Sequence, residues 1–229
     1  MLNRLLVIIL LSFSLVYAHD LWIEKSQDKY ILYYGHKYSS HGGKKLIKYN
    51  PENIQSVKCI DKYGNKIEIN VKKEYPLVIN KNCAIIYVDI SSGYWTKTPY
   101  GTINKPKDRV DIPIKSWLSY ESVKRINLWN KNLEKSFTKQ LDIIPVNDPL
   151  KLQEGDKIRL LITFDGKPVK NIPVAYDGKV RGLTDSYGRI NIRIKHKGFQ
   201  LIEATYRKKV NSKKTDEVIY TITLNFEVK

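Results

Sequence analysis

Dipeptides that close tight turns recur between short apolar segments throughout this chain, and that punctuation leaves little room for long helices. Gly64-Asn65, Asp165-Gly166, Asp177-Gly178 and Tyr187-Gly188 are such turns. Each carries a residue that tolerates the left-handed backbone a two-residue hairpin loop requires. Strict alternation is visible in Lys66-Ile67-Glu68-Ile69-Asn70-Val71, which reads as a half-buried strand. After about Leu141 the segments 157–164, 168–176, 190–194, 201–206 and 220–228 read as strands. About seven strands at this spacing fit an immunoglobulin-like sandwich. One stretch breaks the pattern: Trp117, Tyr120, Val123, Ile126, Trp129 and Leu133 recur near helical spacing, with Ser116 or Ser119 as a cap. The expected fold is therefore mainly β. It has two packed β domains, residues 19–140 and 141–229, the second an immunoglobulin-like sandwich, with a short helical segment near 116–139.

The amino terminus reads as a targeting signal. Arg4 precedes an apolar run over residues 5–16, and Val16 and Ala18 supply the small side chains that a signal peptidase recognises. The run is shorter than a membrane span needs, so residues 1–18 are expected to be removed, leaving an exported, soluble, periplasmic protein. Cleavage there makes His19 the first residue, with a free α-amine and an imidazole able to close one chelate ring on a metal ion. Cys59 and Cys83 are the two cysteines of a chain bound for an oxidising compartment. A disulfide is the simplest reading, and a pair of thiolate ligands is the alternative.

The chain carries 40 basic and 23 acidic residues, a formal net charge of +17. The lysines are spread along it with no arginine-rich stripe or base-stacking motif, and export argues against nucleic acid as a partner. Nucleotide-loop, nucleophile-elbow and CxxC motifs are absent, so nothing points to an enzyme. Three of the four histidines, His19, His36 and His41, lie within 23 residues of one another. A hairpin that returns residues 30–34 beside 21–24 brings Gly35-His36 back to the level of His19. Glycines 35, 42 and 43 then allow the loop with His41 to fold over the same place. One amine and three imidazoles suit Ni(II) or Cu(II) better than Mg or Ca. His196, in Lys195-His196-Lys197-Gly198, reads as a turn residue outside this set. Tyr30, Tyr33, Tyr34 and Tyr38 read as strand packing. The aromatic stretch from Ser91 to Gly101 reads as a loop, by default packed, with walling of the site or docking of a partner as the alternatives.

The start Ala18-His19-Asp20-Leu21-Trp22-Ile23-Glu24, the Tyr34-Gly35-His36 and Ser40-His41 pieces, and Ser92-Gly93-Tyr94-Trp95-Thr96-Lys97-Thr98-Pro99-Tyr100-Gly101 resemble the NikK-type periplasmic proteins that accompany bacterial nickel importers. The second half, with Gly166-Lys167-Pro168-Val169 and Thr184-Asp185-Ser186-Tyr187-Gly188-Arg189, is similar to the wider group of exported β-sandwich proteins. The resemblance implies capture of Ni(II), or Co(II), and delivery to a membrane importer of the energy-coupling-factor type. Carried over by position, it makes His19, His36 and His41 the metal residues. Two other readings compete with it: a copper protein or oxidase built on a histidine brace, and a structural or adhesion module in which the histidines are incidental.

Overall fold

The structure is a computed structural model that describes residues 19–38 and 45–229. The signal expected over residues 1–18 lies outside them, as does His41. The strands are β1 (Asp20–Ser26), β2 (Lys29–His36), β3 (Lys45–Leu46), β4 (Ile54–Ile60), β5 (Lys66–Ile67), β6 (Val78–Ile79), β7 (Ile85–Thr98), β8 (Gly101–Ile103) and β9 (Lys115–Ile126). They continue with β10 (Asp142–Pro145), β11 (Lys157–Phe164), β12 (Lys167–Pro168), β13 (Pro173–Tyr176), β14 (Lys179–Leu183), β15 (Arg189–Arg193), β16 (Gly198–Lys209) and β17 (Glu217–Val228). A nine-stranded sheet runs in the order β14-β13-β16-β17-β9-β7-β4-β5, with β8 added beside β7. Strands from both sides of Leu141 share it, joined where β17 pairs parallel to β9. Two four-stranded sheets complete the protein: β1-β2-β3 with β6 on β2, and β10-β11-β12 with β15 on β11.

Alternate residues of the large sheet feed two separate cores, as the two-residue period of a strand dictates. Ile85, Tyr87, Ile126, Ile222, Leu224 and Phe226 pack with Ile143, Ile158, Leu160 and Ile162 of the β10–β11 sheet. Ile86, Val88, Ile90 and Val123 point the other way and pack with Leu21, Ile23 and Leu32 of β1 and β2. The large sheet is thus the middle of three layers. No helix among the described residues is long and apolar enough to cross a membrane.

The helix expected near 116–139 is not formed. Residues 115–126 are β9, a central strand hydrogen-bonded to β7 on one side and β17 on the other. Its alternation is hidden because both faces carry polar side chains with dedicated partners. Ser122 donates to Asp89, Lys124 to Asp142, and the Arg125 guanidinium to the Ile23 carbonyl. With those positions read as surface, the remaining apolar residues fall near helical spacing by coincidence. Between β9 and residue 139 the described helical geometry is a single 3-10 turn, Lys131–Leu133, which buries Leu133. The stretch from Ser91 to Gly101 is also no loop: it is mostly the outer half of the 14-residue β7, past an irregularity between Ile90 and Gly93. Of the alternating segment 66–71 only Lys66 and Ile67 pair, although Ile69 and Val71 still pack on the core. The two Asp-Gly turns form as expected, each with both residues at positive φ, closing β11 onto β12 and β13 onto β14.

Cys59 and Cys83 are joined in a disulfide across a sequence separation of 24. It ties β4 to the residues that lead into β7. Replacing both in Cys59→Ala/Cys83→Ala removes a constraint on the unfolded chain and is expected to cost about 2–4 kcal/mol in urea denaturation. Lys124 and Asp142 are fully buried, 3.1 Å apart, and link the middle sheet to β10. Asp142→Ala strands the ammonium without its partner and is expected to cost about 3–5 kcal/mol, whereas the apolar pair Lys124→Met/Asp142→Leu is expected to cost clearly less.

Candidate metal centre

The site is built by the first hairpin. Asp20 pairs with Gly35 and Leu21 with Tyr34, so β1 and β2 end level with each other. The rings of His19 and His36 meet there with centroids 4.9 Å apart. Nδ1 of His19 lies 3.2 Å from the Tyr34 hydroxyl, whose ring stands edge-on to the imidazole. Gly35 has φ +137°, and a Cβ there would sit 2.1 Å from the Lys45 carbonyl oxygen. Only glycine allows β3 to close onto β2 at the level of His36.

Among the described residues no strand lies beside the outer edge of β1, and three side chains of the middle sheet take a strand's place. Thr223 donates its hydroxyl to the Leu21 carbonyl. Asn225 accepts the Ile23 N–H at 2.9 Å, and Arg125 donates to the Ile23 carbonyl at 2.9 Å. Buried backbone groups need partners, so these contacts fix the height of β1 on the sheet and with it the position of His19.

Burial lowers the His19 pKa first, and the charges of His36 and Lys45 add to the effect. The shift favours the neutral ring, the form that binds a metal. Asp20, the next residue, accepts the Lys37 N–H at 3.1 Å. Burial pushes its carboxyl up and Asp177 adds to that, while the Lys37 N–H and His36 pull the other way.

His196, set aside in the sequence, lies at the same edge. Its ring is 6.2 Å from that of Tyr38. Nε2 is 3.0 Å from Asp177 Oδ2 and Nδ1 is 2.8 Å from the Lys197 carbonyl oxygen. Both ring nitrogens therefore face acceptors. Burial opposes a charge on His196, but these acceptors outweigh it and raise the pKa. The Lys195-His196-Lys197 stretch gave no hint of this, because the partner, Asp177, comes from a different hairpin.

From His19 and Tyr34 a groove of about 540 Å³ runs along the middle sheet toward Lys97 and Lys115. Its floor holds Glu121 of β9, in register with Thr221 of β17, and Glu203 of β16, in register with Thr223 of β17. Neither was singled out in the sequence, where each is one more glutamate in a polar strand. Burial pushes the Glu121 carboxyl up to about 7 against a hydrogen bond from Ser119. Burial likewise takes Glu203 to about 7, helped by the charges of Asp20 and Glu121. Among the described residues no three His, Cys, Asp or Glu side chains are close enough together to hold a metal ion. The third histidine of the expected set, His41, belongs to the residues not described.

A protein-family model described as a domain of unknown function, DUF4198, matches residues 16–208 and so takes in the hairpin and most of the groove. The chain belongs to the DUF4198 family. No curated protein matches it.

In this DUF4198 protein the groove carboxyls give stability a pH dependence of known sign. Glu121 and Glu203 keep their protons in the folded state up to about 7, whereas the unfolded chain releases them near 4.5. Between those values the native state binds more protons, so stability falls as pH rises and levels off above about 7. Glu121→Gln and Glu203→Gln are each expected to stabilise the protein by about 1–3 kcal/mol at pH near 8 and to change little at pH near 4, by thermal or urea denaturation.

Proposed function

We propose that this protein is a NikK-type accessory protein that captures Ni(II), or Co(II), outside the cytoplasmic membrane and hands it to a membrane importer of the energy-coupling-factor type. The observation that carries the reading is the contact of His19 with His36 at the open end of the first hairpin. Membership of DUF4198, the family to which NikK-type proteins are linked, supports it. In this reading residues 1–18 are removed on export, and the new α-amine of His19 joins its own imidazole, His36 and His41 as ligands. The protein has two packed β domains divided near Leu141, the second an immunoglobulin-like sandwich. It performs no reaction on the ion, since a carrier must release what it binds.

The chemistry is reversible coordination by nitrogen donors, which select late first-row divalent ions over Mg and Ca. Neutral imidazole at His19 is supported by the burial and the neighbouring charges that lower its pKa. Asp20, Glu121 and Glu203 lie beyond the histidines, and arrival of a dication favours their ionised forms. Binding then releases protons, and uptake of protons favours release of the ion.

Calorimetric titration of the exported protein, its amino terminus read by mass spectrometry, tests this with Ni(II), Co(II), Cu(II) and Zn(II). One Ni(II) per chain is expected, with affinity falling as pH drops below about 6–7. His19→Ala, His36→Ala and one extra residue before His19 are each expected to weaken it by about tenfold or more. Binding unaffected by His19→Ala sinks the reading. A preference for copper accompanied by peroxide-driven turnover moves it to a histidine-brace protein.

A further inference from the structure

At the far end of the middle sheet two hairpins meet. One is the β7–β8–β9 tip, residues 97–115, and the other is the β16–β17 turn, residues 207–217. They are bound together: the Lys107 N–H donates to the Lys214 carbonyl at 3.0 Å, and Asp216 accepts from Lys107 Nζ at 2.5 Å and from the Ser116 N–H at 2.7 Å. This end carries the exposed isoleucines of the described residues, Ile103 (41 %), Ile112 (61 %) and Ile114 (59 %), together with Tyr100 at 89 %. Ile112 also has φ +50°, a conformation that β-branched residues rarely adopt. Neither solubility nor core packing calls for a group of isoleucines projected into water from one tip.

The charge around them is mainly positive, although Asp108 and Asp111 are exposed acids in the first segment. The two segments hold ten basic and four acidic residues. Two of the acids are already answered within the tip, Asp216 by Lys107 and Glu217 by Lys115 and Arg207. Lys105, Arg109, Lys208, Lys209, Lys213 and Lys214 are exposed and make no ion pair among the described residues. Apolar side chains accompanied by exposed ammonium and guanidinium groups on the same tip match the surface of a bilayer with anionic headgroups. The isoleucines and Tyr100 enter the boundary between headgroups and acyl chains, and the basic groups stay with the phosphates.

We propose that this tip is a docking surface for an anionic phospholipid membrane. Docked in this way, the protein turns toward the bilayer the end of the groove lined by Lys97 and Lys115, with His19 and Tyr34 at its other end. The proposal does not depend on which ion, if any, the histidines bind.

Co-sedimentation of the exported protein with vesicles tests it, comparing phosphatidylcholine alone with phosphatidylcholine containing about one-third phosphatidylglycerol. Binding to the anionic vesicles is expected to be about tenfold tighter or more at low salt. Two variants, Ile112→Asn/Ile114→Asn and Lys105→Glu/Arg109→Glu, are each expected to lose about tenfold. Their urea midpoints serve as the check on folding, and their Ni(II) titrations are expected to match the unmodified protein, which separates this outcome from that of the metal reading. Equal binding to both kinds of vesicle overturns the proposal, as does full binding by the isoleucine variant, which reduces the effect to adsorption by charge alone. Binding to a purified importer without binding to vesicles assigns the tip to a protein partner and overturns it too.

Discussion

The ammonium of Lys124 and the carboxylate of Asp142 meet with no exposed surface on either side chain. A buried charge is tolerable only when its remaining hydrogen-bonding capacity is also met. Here Lys124 donates a second bond to the Ile143 carbonyl, and Asp142 accepts from the Tyr87 hydroxyl, the Ser136 hydroxyl and the Phe137 N–H. Burial pulls the Lys124 pKa down while Asp142 holds it up. The constellation draws on β7, β9, β10 and the turn before β10, so it can be satisfied in only one docking of the small carboxy-terminal sheet on the large one. Apolar contacts between Ile143, Ile162 and Leu224 supply area; the ion pair supplies register.

The opposite face uses the same device for a different end. There the polar side chains Thr223, Asn225 and Arg125 serve the unpaired edge of β1 rather than one another. A sandwich held by apolar contacts alone tolerates sliding of one sheet over another by a fraction of a residue. A strand whose carbonyls and N–H groups are bonded to fixed side chains does not. Since His19 is the residue before β1 and His36 ends β2, the clamp at Leu21 and Ile23 sets where the two imidazoles meet. Structural polarity on one face of the middle layer thus supports the chemistry at its edge.

What was legible in the sequence follows from which interactions are local. The Asp165-Gly166 and Asp177-Gly178 turns depend on two residues each, and the register of β1 with β2 depends on a short hairpin; both were readable. β9 was not, because a polar residue in a strand reads as exposed unless its partner is known, and the partners of Ser122, Lys124 and Arg125 lie 33, 18 and 102 positions away. The same limit hid the carboxyls. Glu121 and Glu203 face one groove because β17 lies between their strands, a parallel pairing with β9 that no turn motif announces. His196 lies in the bend between β15 and β16, as its sequence suggests, but its contacts with Asp177 and Tyr38 come from other elements and could not be read there.

A strongly basic protein is a poor attractor of cations, and the arrangement of charge in this one meets that difficulty locally. Its free lysines and arginines at the β7–β9 and β16–β17 tip are exposed, where salt screens them over about 8–10 Å. Glu121, Glu203 and Asp20 are shielded from water, where screening is weaker and a nearby dication is felt more strongly. With their pKa values raised to about 7, the two glutamates are partly protonated at neutral pH and carry less fixed negative charge than exposed glutamates. In the metal reading proposed above, a bound dication favours their anionic forms and added protons favour the acids. In a molecule of net charge +17 the local field in the groove therefore depends on where these three carboxyls are buried more than on the total charge.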